Sequence, residues 1–141
     1  MSKARTKVKQ KRNSHGRPAT VALGLRFPLS IAVGDLTYRV SLLRAGRSKA
    51  PPDWKDNLEG LTDCVRGRIY LHADLIRNPP RLLSVLVHEL MHAIMDVSGA
   101  GRILWDLADT LKREPSDVEE DFVRMLTPMI VSSLRSAKLL R

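Results

Sequence analysis

The run His88-Glu89-Leu90-Met91-His92 brings together three side chains whose types and spacing suit metal chemistry. Residues four apart on a helix lie one above the other, about 6 Å between their Cβ atoms, so both imidazoles can reach one tetrahedral zinc ion. Glu89 stands one step round from His88. Its carboxylate would meet a zinc-held water instead of the zinc, which is the position of a general base. The flanks argue against a chance match. Leu82, Leu83, Val85, Leu86, Val87, Leu90, Met91, Ala93, Ile94, Met95 and Val97 surround the motif. A helix this apolar on every side is expected to be central and buried. Polar groups buried there without partners would be strongly destabilising, and coordination offsets that cost.

Two histidines need a third protein ligand. The chain has only His15, His72, His88 and His92, and none follows His92, so the third ligand is expected to be a carboxylate. The last helix offers Glu119 and Glu120. At about 100° per residue from Leu126, Glu119 falls near +20°, inside an apolar stripe of Phe122, Val123, Met129 and Ile130. Glu120 falls near +120°, beside Asp121, Arg124 and Thr127. The pattern favours Glu119, with Glu120 next and Asp96, Asp106 and Asp109 behind. Two local roles compete. Ser116-Asp117-Val118-Glu119 is also a capping box, in which Glu119 would fold back to the backbone of Ser116. Asp96, one turn beyond His92, could orient an imidazole.

These residues need elements to hold them. Asn78-Pro79-Pro80 starts the buried helix over Arg81–Val97, and Ser98-Gly99 ends it. Ile103–Leu111 reads as a short amphipathic helix with Leu104, Leu107 and Leu111 on one face. Ser116 opens a last helix, in which Pro128 is expected to cause a kink. Upstream, Val21–Leu43 suggests strands, with Tyr38, Val40 and Leu42 at period two after the turn signal Gly34-Asp35. Residues 45–57 read as a loop. Leu61–Leu75 reads as a second extended region. Ile69, Leu71 and Ala73 share one face, Tyr70 and His72 the other, and Gly67 marks a turn or bulge.

At 141 residues, 43% hydrophobic and 28% charged, the chain suits one globular domain and excludes a long multidomain enzyme. No apolar run reaches the roughly 18–20 residues of a membrane span, and the basic N-terminus has no apolar stretch behind it to make a secretory signal. The single cysteine, Cys64, excludes an intrachain disulfide and a zinc site built on several thiolates, which points to an intracellular setting. It reads as a small buried hydrophobe. The net charge of +9 is concentrated at one end: seven of the 24 basic residues and none of the 15 acidic ones lie in residues 1–19. Such an arm is expected to be disordered alone. It could solubilise the chain, contact nucleic-acid phosphates, or meet an acidic protein.

His88-Glu-x-x-His92, followed by Glu119 at the start of a Glu-Glu-x-Phe-Val-x-x-Leu helix, resembles the compact metallopeptidases of the gluzincin kind. It is most similar to small zinc metallopeptidases encoded in phage and prophage genomes. More remotely it resembles the metallopeptidases that cleave phage-type repressors. The likeness covers about residues 60–135. It implies zinc ligands His88, His92 and Glu119, with Glu89 as catalytic base. It also implies that the extended segment Arg68–Leu75 pairs with substrate, whose strand would add to the edge near Ile69–Ala73. The downstream tyrosine or histidine that would steady an oxyanion is missing. Tyr70 and His72 could serve, although strand packing or surface placement explains them as well.

The expectation is therefore an α+β chain: a basic arm over residues 1–20, then a zincin-like domain over 21–141. In that domain a small antiparallel or mixed sheet packs on the buried helix and a C-terminal helix. The expected function is zinc-dependent peptide hydrolysis through a metal-activated water, with a protein or peptide as substrate. A phage virion or assembly component, anchored by the arm to DNA or a neighbouring subunit, is the alternative. No membrane partner is expected. The expected location is the cytoplasm of a host cell, or a virion if phage-encoded.

Overall fold

The computed structural model describes residues 19–20, 25–44, 50–55 and 57–136. The expectations for the basic arm fall outside these residues, except that Ala19–Thr20 forms strand β1 and pairs antiparallel with β2 (Arg26–Phe27).

The main sheet has four strands in the order β3 (Leu29–Val33), β4 (Leu36–Leu43), β6 (Arg68–His72), β5 (Gly60–Asp63). Gly34-Asp35 closes the β3–β4 hairpin, with Gly34 at a φ of 57° that suits glycine. β4 and β6 run parallel, and β5 is antiparallel to β6, so the sheet is mixed. The period-two reading of β4 holds: Tyr38 and Val40 are fully buried while Thr37 and Arg39 are exposed. The extended region from Leu61 is two strands, divided by a turn where Gly67 marked one. The turn between them ends at Gly67, whose φ is 59°. β6 stops at His72, and Ala73–Arg77 continues as a short 3₁₀ helix, so Ala73 does not belong to the strand.

Helix α1 (Pro79–Ser98) starts with Asn78 accepting a hydrogen bond from the Arg81 amide at 3.2 Å. It ends at Gly99, which adopts the left-handed conformation. One side of α1 packs on the sheet. Leu82, Val85, Leu86 and Ala93 join Tyr38, Val40, Ile69 and Leu71 in the largest buried cluster. The other side meets α2 (Ala100–Leu111) and α3 (Pro115–Ser136). Met95 packs with Leu104, Ala108, Val118 and Val123, and Leu83 and Val87 pack with Val131. The motif helix is thus the middle layer of an α+β fold, as its all-round apolar pattern requires. α3 runs continuously from Pro115 to Ser136 with Pro128 inside it. No single described helix is long and apolar enough to cross a membrane.

Candidate metal centre

α1 places His88 and His92 one turn apart, facing the start of α3. Their Nε2 atoms lie 3.3 Å from each other. Glu120 Oε2 lies 3.5 Å from His88 Nε2 and 3.3 Å from His92 Nε2. The three separations of this triangle are nearly equal. Ligand atoms at 2.0–2.1 Å from a tetrahedral zinc ion are separated by about 3.3–3.4 Å. The three donors are partly buried and can hold one metal ion.

The carboxylate that converges with the two imidazoles is that of Glu120, not the Glu119 expected from sequence. Glu119 Oε1 lies 2.7 Å from His92 Nδ1, on the far side of the ring from the triangle. A carboxylate only accepts, so Nδ1 carries the proton and donates. That fixes the tautomer with its Nε2 lone pair toward Glu120. The difference comes from the stripe of α3. Phe122, Met125 and Met129 are exposed, while Val123, Thr127 and Val131 are buried. Those three buried residues are centred near +100° instead of 0°, and Glu120 at about +120° is among them. The expected capping box is not seen: α3 already begins at Pro115, which puts Ser116 inside the helix, and the Glu119 carboxylate is at His92 Nδ1.

Glu89 is buried and lines the same cleft as His88 and Glu120. Two features of β5 set its position, and neither was read from sequence. Gly60 leaves room for it: a Cβ there would come within 2.8 Å of Glu89 Cδ. Thr62 Oγ1 lies 2.8 Å from Glu89 Oε2 and 2.9 Å from the Glu89 carbonyl oxygen. One hydroxyl proton cannot serve both acceptors fully. The Thr62 hydroxyl is thus shared between the Glu89 carboxylate and the Glu89 carbonyl as donor. Burial pushes the Glu89 carboxyl above its ordinary range, partly opposed by the Thr62 hydrogen bond and by His92. Burial also holds the His88 imidazole below its ordinary value, favouring the neutral, ligating form; Glu120 opposes this shift.

The cleft is about 480 Å³ and opens beside Glu59, Arg81, Arg124 and Thr127. Glu59 and Arg81 pair across it, with Arg81 Nε donating to Glu59 Oε1 at 3.0 Å and Arg81 Nη2 donating to Glu59 Oε2.

The remaining candidates lie elsewhere. Tyr70 is buried on β6, its hydroxyl 3.4 Å from Arg68 Nη1. His72 Nδ1 accepts from the Asp74 amide, and its ring stacks on Trp54. Asp96, Asp106 and Asp109 are exposed and outside the triangle. His15 lies outside the described residues. Cys64 is half-buried, and its thiol is pushed up to about 11 by burial and by nearby Asp96, so it is not a thiolate at neutral pH. The free sheet edge is also corrected. β6 is paired on both sides, so Ile69–Ala73 offers no edge; among the described residues β5, beside Glu89, is an edge strand.

No protein-family model matches the chain, and no solved structure matches it significantly.

Proposed function

We propose that the chain is a zinc-dependent metallopeptidase, with His88, His92 and Glu120 holding the ion and Glu89 as general base. The observation that carries this reading is the triangle of two Nε2 atoms and Glu120 Oε2 at 3.3–3.5 Å. A metal ion among these atoms can accept all three lone pairs at once, whereas a single proton bridges only two of them. Two imidazoles and a carboxylate are a donor set that suits zinc and leaves a coordination position free. An ion there supplies Lewis acidity toward water and toward a substrate carbonyl.

The chain's own residues would do the rest. The Glu89 carboxylate takes a proton from water as its oxygen attacks the peptide carbonyl carbon. When the C–N bond breaks, the same carboxyl returns a proton to the amine nitrogen. Its raised proton affinity favours taking the proton from water. The outer edge of β5 can accept the substrate backbone as an added strand beside Glu89. A purely structural metal site has no use for a buried carboxyl outside its ligand triangle, which favours hydrolysis over an assembly role. The basic segment 1–19 remains a proposed contact for nucleic acid or an acidic protein, and an intracellular setting fits the lone cysteine.

The test pairs the parent with Glu89→Gln. Both should bind one zinc ion, and only the parent should cleave a mixed peptide pool. A zinc-loaded parent that cleaves nothing, or a variant that cleaves equally, overturns the reading.

A further inference from the structure

We propose that Arg124 is a positioning residue that fixes Glu120 as a single-oxygen donor. This rests on the metal-centre reading above and extends it to the way the third ligand is held. A carboxylate can turn one oxygen or both toward a cation. Glu120 has its two oxygens committed differently. Oε2 faces the two imidazoles, while Oε1 accepts a hydrogen bond from Arg124 Nε at 2.7 Å. That length is typical of a charge-assisted bond, and it holds Oε1 away from the triangle. Arg124 is one turn beyond Glu120 on α3, so the helix itself sets this geometry. The donors are thereby oriented from two ends: Glu119 fixes the ring of His92, and Arg124 fixes the carboxylate of Glu120.

An ordinary helix ion pair is the competing explanation. Arg124 and Glu120 are four residues apart, and the arginine side chain is 69% exposed. Exposed pairs of that kind add little to stability. The two roles therefore separate cleanly, because losing Arg124 should leave the fold intact and alter only the ligand. Arg113 supplies the comparison. It makes an equally short pair with Asp121 on the same helix, and neither partner belongs to the triangle.

The experiment is a cobalt(II) titration of the metal-free full-length chain, read by visible absorption. Four-coordinate cobalt absorbs strongly and five- or six-coordinate cobalt weakly. The parent should bind one cobalt ion with an intense band. Arg124→Ala should fold normally, bind roughly 10–100-fold more weakly and lose most of the band intensity as both oxygens turn inward. Arg124→Lys should recover most of both, since an ammonium group can still occupy Oε1. Arg113→Ala should match the parent. An Arg124→Ala spectrum and affinity equal to the parent's overturn the role of Arg124 and leave the metal centre standing. An equal loss in Arg113→Ala also overturns it, by assigning the effect to net charge. A parent that binds no cobalt overturns both readings.

Discussion

Glu119 and Glu120 are neighbours in sequence with different tasks, and the difference is measurable. Glu120 supplies an oxygen to the triangle, and Glu119 holds the ring of His92. We expect Glu120→Ala to abolish tight zinc binding. Glu119→Gln should weaken it by only about 10–100-fold, the usual effect of losing a group that orients a ligand. The reverse order, in a competition titration with a chelator, would restore Glu119 as the ligand. Glu89 carries a second expectation. Its carboxyl is raised in the fold by burial, so between its ordinary value of 4.5 and the raised one the folded chain binds more protons than the unfolded chain. Stability therefore declines as pH rises through that interval. Metal-free Glu89→Gln has no such titration. It should match the parent below about pH 4 and melt at a higher temperature at about pH 7.5. A variant no more stable at neutral pH contradicts the burial account. In peptide hydrolysis the same change should remove roughly 10²–10⁴-fold of the rate. The pair of histidines and Glu89 could be read from spacing alone, because a helix repeats regularly. The choice between two adjacent glutamates could not. It turned on which side of α3 is buried, and exposed Phe122 and Met129 made the apolar stripe point the wrong way.

Among the elements, β5 does most to place Glu89. Gly60→Ala puts a methyl group against the Glu89 side chain, so the carboxylate must shift. We expect zinc affinity close to the parent's and a large fall in kcat, measured on one peptide. An unchanged kcat would mean that Glu89 does not need the space. Thr62→Val removes the hydroxyl that partners Glu89 Oε2. Leaving a buried carboxyl without that partner should destabilise the fold by about 1–3 kcal/mol in urea titration. It should also move the acid limb of the pH–rate profile upward, since the Thr62 bond lowers the Glu89 proton affinity. An acid limb that stays in place would contradict the assigned hydrogen bond. Strand and helix types were legible from periodicity and turn residues. The pairing was not: nothing local in Gly60–Asp63 says that it lies outside β6, because register and strand order depend on contacts distant in sequence.

At the scale of the whole molecule, α1 is the layer between the sheet and the other two helices, and the triangle joins α1 to the foot of α3. A bound ion therefore links parts of the chain that otherwise meet through small clusters such as Leu83, Val87 and Val131. An ion at a hundredfold excess over its Kd should stabilise the fold by about 2.7 kcal/mol, on the order of 10 °C in Tm. Chelation should reverse this, and a Tm indifferent to chelator would deny the ion that linking role. The α+β class and the central place of the motif helix were legible because composition and all-round apolarity constrain packing.

One measurement bears on all of this most directly: zinc content of the purified chain by metal analysis after dialysis, compared with folded Glu120→Ala. We predict one ion per parent chain and none in the variant. A parent without zinc, or a variant that keeps it, would contradict the triangle of His88, His92 and Glu120 as a metal centre.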